Sequence, residues 1–131
     1  MQTLLLISGI LTIILALAHS VLGEWRLLRP MKNEVLPQIN GIPALFKNDG
    51  FSKNTIRFVW HVTSVFGLCL AAILLHFSNL ATLGSTEGFI IKTISVAMTL
   101  AGLITLLLTK GAHMGWILFL AIGILCALSV F

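Results

Sequence analysis

The stretch TLLLISGILTIILALAHSVL, residues 3–22, decides the class of this protein. It contains no Asp, Glu, Lys or Arg, and a membrane-crossing helix needs about 20 mainly apolar residues. Three further mainly apolar segments follow, at about residues 54–77, 88–109 and 112–131. The sequence therefore predicts four transmembrane helices, the first of which can continue as helix to Arg29, before Pro30.

The composition of the whole chain agrees with this class. Hydrophobic residues make up 58% of the 131 residues and charged residues only 9%, whereas soluble domains carry roughly 25% charged residues. So few charges cannot cover a water-exposed surface, and the length suffices for one domain. We predict a single all-α domain, residues 1–131, folded as an antiparallel four-helix bundle in the lipid bilayer. A homo-oligomer or a membrane-complex partner is compatible with this prediction; nucleic acid is not expected, because no extramembrane domain is large enough to bind it.

Lysine and arginine decide the predicted orientation, because cytoplasmic loops carry an excess of both. The polar first connection, about residues 23–53, and the start of the second helix hold six of the eight: Arg26, Arg29, Lys32, Lys47, Lys53 and Arg57. Lys110 lies in the third connection, a tight turn with Gly111, while the second connection has no lysine or arginine. We therefore expect the first and third connections in the cytoplasm and both termini in the periplasm or cell exterior.

Three histidines lie at one predicted membrane depth, near the cytoplasmic side. His19 is close to the end of the first helix, His61 to the start of the second and His113 to the start of the fourth. Neighbouring antiparallel helices can bring these imidazoles together, and three neutral imidazoles with an open position suit zinc, copper or iron. Our first hypothesis is a transition-metal site, possessing redox or metal-handling chemistry, in which Glu24 is the fourth ligand or a hydrogen-bonding neighbour.

The residues around the histidines allow a simpler interpretation. Glu24 follows His19 by five residues, about 140° around an ideal helix, so the two share a face only if the helix distorts near Gly23. Arg57 and His61 are four residues apart and do share a face, so an ion pair between Glu24 and Arg57 is expected. The other neighbours, expected to orient the imidazoles or to lie at their depth, are Ser20, Ser64, Trp60 and Trp116.

Three alternatives to a metal stay open at this point. The polar residues can form a hydrogen-bonded cluster that holds the helices in register, in a structural or partner subunit of a membrane complex. Two of the histidines can hold a b-type haem, although four short helices leave limited room for it. The site can instead bind a quinone or a lipid. No general base or cofactor motif is visible, so the sequence makes no case for an enzyme.

Small residues mark the helix faces that are expected to pack together, because helices in lipid associate through close approach. They recur at one-turn spacing in three of the four predicted helices. The members are Ser8, Thr12, Ala16, Ser20 and Gly23 in the first, Ser95, Thr99, Gly102, Thr105 and Thr109 in the third, and Gly123 and Ala127 in the fourth.

Two motifs carry a resemblance to a known group of proteins. Residues 19–30 match H-S-x-L-G-E-x-x-L-x-R-P, and residues 57–64 match R-F-x-W-H-x-T-S. In these motifs the chain resembles an uncharacterised family of small four-helix bacterial inner-membrane proteins. The resemblance covers the first two helices and the layout of the whole chain. It implies a bacterial inner-membrane location and a four-helix fold, and it implies no activity and no ligand.

Overall fold

The computed structural model describes residues 1–32 and 51–130. Within these residues the chain forms helices and no β-strand, which confirms the all-α prediction for the described part of the chain. The helices are α1 (Gln2–Gly23), α2 (Phe51–Ser78), α3 (Ser85–Thr109) and α4 (Gly115–Leu128), and a π-helical turn (Glu24–Leu28) follows α1 directly. Most of the predicted polar connection, including Lys47, lies outside the described residues.

Three of these helical segments are long and apolar enough to cross a membrane, judged by length and composition alone. They are α1 with its π-helical turn, at 27 residues, α2 at 28 and α3 at 25. The fourth helix has 14 residues and is shorter than the predicted segment 112–131. At its first residue the Gly115 N–H donates to His113 Nδ1 at 3.1 Å, so this imidazole accepts one of the N–H groups that a helix start leaves without an intrahelical partner.

The contacts divide the chain into two compact units. The larger unit consists of Met1–Leu15 and Gly67–Phe131, and the smaller unit consists of Ala16–Phe66. The larger unit contains the main apolar core, to which α1, α2, α3 and α4 all contribute. The buried members of this core are Leu5, Leu74, Phe77, Ile91, Ile94, Met98, Ile122 and Cys126.

Small residues bring α3 and α4 together in the larger unit. The Ser95 hydroxyl donates to the Gly123 carbonyl at 2.7 Å, and a Cβ added to Gly123 would lie 3.1 Å from the Ser95 carbonyl oxygen. Gly102 lies against Leu120 in the same way. The predicted packing faces of these two helices are therefore confirmed at Ser95, Gly102 and Gly123, all of which are buried.

The smaller unit pairs the end of α1 and its π-helical turn with the start of α2. Ser20 meets His61, and four residues later Glu24 meets Arg57, which lies four residues earlier than His61. The two segments therefore run antiparallel, and this pairing places the polar side chains of both helices opposite one another.

Candidate functional site

The backbone of the site is a π-helical turn at the end of α1. The Arg29 N–H donates to the Glu24 carbonyl, five residues earlier, at 2.9 Å. Pro30 has no N–H to donate, so the ordinary helical pattern cannot continue through it. Such turns are rare and occur frequently at functional sites. Because the turn begins at Glu24, α1 is regular between His19 and Glu24, and Ser20, four residues before Glu24, is the residue that shares its face.

Glu24 and Arg57 form a two-point hydrogen bond. Arg57 Nε donates to Oε2 and Nη2 donates to Oε1, each at 2.9 Å. The Nε of Arg29 lies 3.9 Å from Oε1, so a second guanidinium faces the same carboxylate. The predicted ion pair is confirmed, and its planar fork geometry is the one that arginine adopts with carboxylates.

His61 extends this pair into a chain of four side chains. Its Nδ1 lies 2.7 Å from the Ser20 hydroxyl, and its Nε2 lies 3.4 Å from Glu24 Oε2. An ionised carboxylate can only accept, so the arrangement is satisfied when Nε2 carries the proton and the Ser20 hydroxyl donates to Nδ1. We call Ser20, Glu24, Arg57 and His61 the polar cluster.

His19 lies outside the polar cluster and contacts Trp60. The two rings are stacked, with centroids 4.3 Å apart and planes 3° from parallel. The Trp60 indole N–H also donates to the His19 backbone carbonyl at 2.8 Å. The Thr63 hydroxyl donates to the Trp60 carbonyl at 2.7 Å, so its oxygen accepts from His19 Nε2, at 3.2 Å. The sequence did not predict this stack, although Trp60 and Thr63 are three residues apart and so lie on one face of α2.

Gly23 explains how a large indole fits at this point. A Cβ on Gly23 would overlap the indole nitrogen of Trp60, so only glycine leaves the space that the ring fills. An open groove of about 350 Å³ lies beside the stack. Its lining residues are His19, Thr55, Ile56, Val59, Trp60 and Thr63.

Two other predicted residues have partners elsewhere. The Ser64 hydroxyl is directed to the Trp60 carbonyl of its own helix, at 3.4 Å. Trp116 Nε1 donates to the Gly111 carbonyl, also at 3.4 Å, in the larger unit. These contacts join each side chain to nearby backbone, and neither is made to an imidazole.

His113 belongs to the larger unit, whereas the other predicted ligands belong to the smaller one. It is exposed in the turn before α4, where its backbone N–H donates to the Thr109 hydroxyl at 3.4 Å. Among residues 1–32 and 51–130, no group of three or more His, Cys, Asp or Glu side chains is arranged to hold a metal ion. The four-ligand metal site therefore stays a prediction.

Comparison with known proteins adds no relative. No protein-family model matches the chain, and neither a curated protein nor a solved structure matches it. The resemblance at residues 19–30 and 57–64 likewise stays a prediction.

Proposed function

We propose that this chain is a multi-pass protein of the bacterial inner membrane, folded as an antiparallel four-helix bundle. Support comes from the three long apolar helices and from their outward side chains. Leu6, Ile10, Ile14, Leu100 and Leu107 are exposed along α1 and α3, in positions that a soluble protein would give to polar residues. Lipid is the solvent that suits such a surface.

Within this protein, the polar cluster acts as a clamp that keeps the first two helices in register, in a structural or partner subunit of a membrane complex. One observation carries this proposal: the donors and acceptors of the cluster face one another across the two helices. Ser20 and Glu24 on one segment meet His61 and Arg57 on the other. These four side chains therefore find their hydrogen-bond partners on the neighbouring helix.

The clamp resists sliding for a physical reason. A shift of one helical turn, about 5.4 Å, would separate Glu24 from Arg57 and Ser20 from His61 at once. Each side chain would then lose its partner, and the Glu24 carboxylate would lose both hydrogen bonds from the Arg57 guanidinium. Glu24 and Arg57 are partly exposed, so their ion pair alone contributes modestly to stability, and the register depends on the whole cluster. A single register therefore satisfies the whole cluster.

Charge exchange between Glu24 and Arg57 tests the clamp. Glu24→Arg and Arg57→Glu each place like charges opposite one another, so each should lower the melting temperature in detergent, and the double variant should recover most of the loss. Arg26→Glu, an exposed reversal on the same turn, is the matched control and should change little. Equal melting temperatures for all variants, or no recovery in the double variant, would contradict the clamp.

The subunit role has a separate measurement. Wild-type protein extracted gently from its native membrane should migrate as a larger assembly than the isolated chain. Glu24→Arg should shift it to the smaller size, and the exchange variant should restore the assembly. A wild-type protein that migrates only as an isolated chain would remove the subunit role and leave the clamp intact.

A transition-metal site is the second candidate function, and one contact favours it. His61 Nε2 and Glu24 Oε2 face each other at 3.4 Å, and imidazole with carboxylate is a ligand pair used for zinc and iron. In this proposal Glu24 leaves Arg57 for the metal, and His19 of the same unit is a further ligand. Metal content and the Soret absorption of purified protein test it, with His61→Ala as the comparison. Stoichiometric metal that is lost in the variant supports the site, and a Soret band favours haem. The absence of both signals rejects both the metal site and the haem site.

A further inference from the structure

The polar side chains that line the groove beside the His19–Trp60 stack form hydrogen bonds within the protein. The Thr55 hydroxyl donates to the Phe51 carbonyl at 2.9 Å, and the Thr63 hydroxyl donates to the Trp60 carbonyl. His19 Nε2 is directed to Thr63. Ile56 and Val59 complete the lining. The polar atoms of the wall are thus engaged within the protein, so the groove suits a hydrocarbon chain better than a ring that needs hydrogen-bond donors.

The described residues of the smaller unit, which contains this groove, carry a net positive charge. Its described residues include five basic side chains and one acidic one: Arg26, Arg29, Lys32, Lys53, Arg57 and Glu24. Arg57 is engaged by Glu24, and the exposed Arg29 faces the same carboxylate at 3.9 Å, while Arg26 and Lys32 are exposed.

Lys53 connects this charge to the groove. It precedes Ile56 by three residues and Trp60 by seven, so it lies on the groove side of α2, and Thr55, the first lining residue of that helix, follows it by two. Its ammonium group donates to the Met31 carbonyl at 2.8 Å and to the Arg29 carbonyl at 3.3 Å, just after the π-helical turn. Lys53 therefore places a positive charge beside the groove lining, and its ammonium group lies against the backbone at Arg29.

From this arrangement we infer that the groove binds one acyl chain of an anionic phospholipid, whose phosphate contacts Arg26, Arg29 and Lys53. Basic sites beside membrane helices recognise anionic headgroups in this way. The volume of about 350 Å³ is within the range of small-molecule sites. The inference rests on the proposed membrane location and does not depend on the clamp.

Lipid binding to the purified full-length protein tests the inference. Phosphatidylglycerol and phosphatidylcholine with identical acyl chains are offered in detergent, and bound lipid is counted by native mass spectrometry. Wild type should retain phosphatidylglycerol preferentially. Arg26→Gln with Lys53→Gln should reduce that preference by roughly fivefold for each charge removed, whereas Lys92→Gln, a basic residue of the larger unit, should not.

A groove-filling variant tests the acyl-chain half of the inference. Val59→Trp places a large ring in the groove and should displace bound phosphatidylglycerol without lowering the melting temperature. Val65→Trp is the matched control, because Val65 lies on the same helix outside the groove and is similarly exposed, 57% against 53% for Val59. Its lipid binding should equal that of wild type.

Three results would overturn the inference. They are equal retention of the two lipids by wild type, binding that Val59→Trp leaves unchanged, and release by Val59→Trp of a quinone or a second copy of the chain instead of phospholipid. Failure of the clamp is distinguishable, because it appears in the melting temperatures of the Glu24 and Arg57 variants. Failure of the membrane location appears as protein that is soluble without detergent.

Discussion

Trp60 lies flat against His19, with ring centroids 4.3 Å apart, and donates its indole N–H to the His19 carbonyl at 2.8 Å. One side chain of α2 thus contacts both the ring and the backbone of a single residue of α1. Gly23, one turn further along α1, leaves the space for the indole. These contacts adjoin the polar cluster and make the Trp60 position sensitive to substitution.

Gly23→Ala should destabilise the protein because its Cβ would overlap the Trp60 indole. Overpacking of this kind typically costs about 1–3 kcal/mol. Thermal unfolding in detergent measures the loss, and a change in tryptophan fluorescence reports the displaced ring. Gly88→Ala is the matched control, since a Cβ there meets nothing within 4 Å. Equal stability of the two variants would show that Trp60 moves away without cost.

Trp60→Phe separates the indole hydrogen bond from the aromatic contact. The phenyl ring can still stack on His19, but it has no N–H for the His19 carbonyl, so we expect a loss of about 1 kcal/mol or less. Trp25→Phe is the control, because Trp25 is 64% exposed and lies in the π-helical turn. Chemical unfolding of both variants in mild detergent provides the comparison. A larger loss in Trp25→Phe would contradict the assigned role of the indole.

Gly123→Ala should separate α3 from α4. The added Cβ would approach the Ser95 carbonyl oxygen and the Thr99 nitrogen, both at 3.1 Å, and backbone atoms cannot rotate away. We expect a loss of about 1–3 kcal/mol in the free energy of unfolding. Gly102→Ala should cost less, because its Cβ would meet the Leu120 side chain at 2.8 Å and only one backbone atom, the Leu120 nitrogen at 3.2 Å. The reverse order of the two losses would be inconsistent with this packing.

The proposed orientation predicts where a reporter at the C-terminus is active. Because the basic residues concentrate before and at the start of α2, both termini should face the periplasm. A C-terminal alkaline phosphatase fusion should be active in bacterial cells and a C-terminal green fluorescent protein fusion dark. A fusion after Lys110 should behave in the opposite way. Bright fluorescence at the C-terminus would show that the C-terminus lies in the cytoplasm and would contradict the predicted orientation.

The ion pair between Glu24 and Arg57 could be predicted because it needs only two opposite charges on neighbouring helices near the same depth. The π-helical turn could not be predicted, because the sequence called for a distortion only if His19 and Glu24 shared a face, and the two have different partners. The stacking of Trp60 on His19 could not be predicted, because Trp60 and Trp116 were both expected at that depth and depth alone does not pair two rings. Which ring lies against which depends on the close approach at Gly23.

The sequence by itself determined the helical class and the apolar segments, because hydropathy adds up along the chain and requires no knowledge of contacts. Only the tertiary structure decided the partners of the histidines, since these depend on register and helix rotation. It directed His61 to Ser20 and Glu24, stacked His19 on Trp60, and placed His113 in the turn before α4. Residues of one type at one predicted depth thus acquired three different environments, because a helix rotates by about 100° with each residue and depth alone does not specify a face.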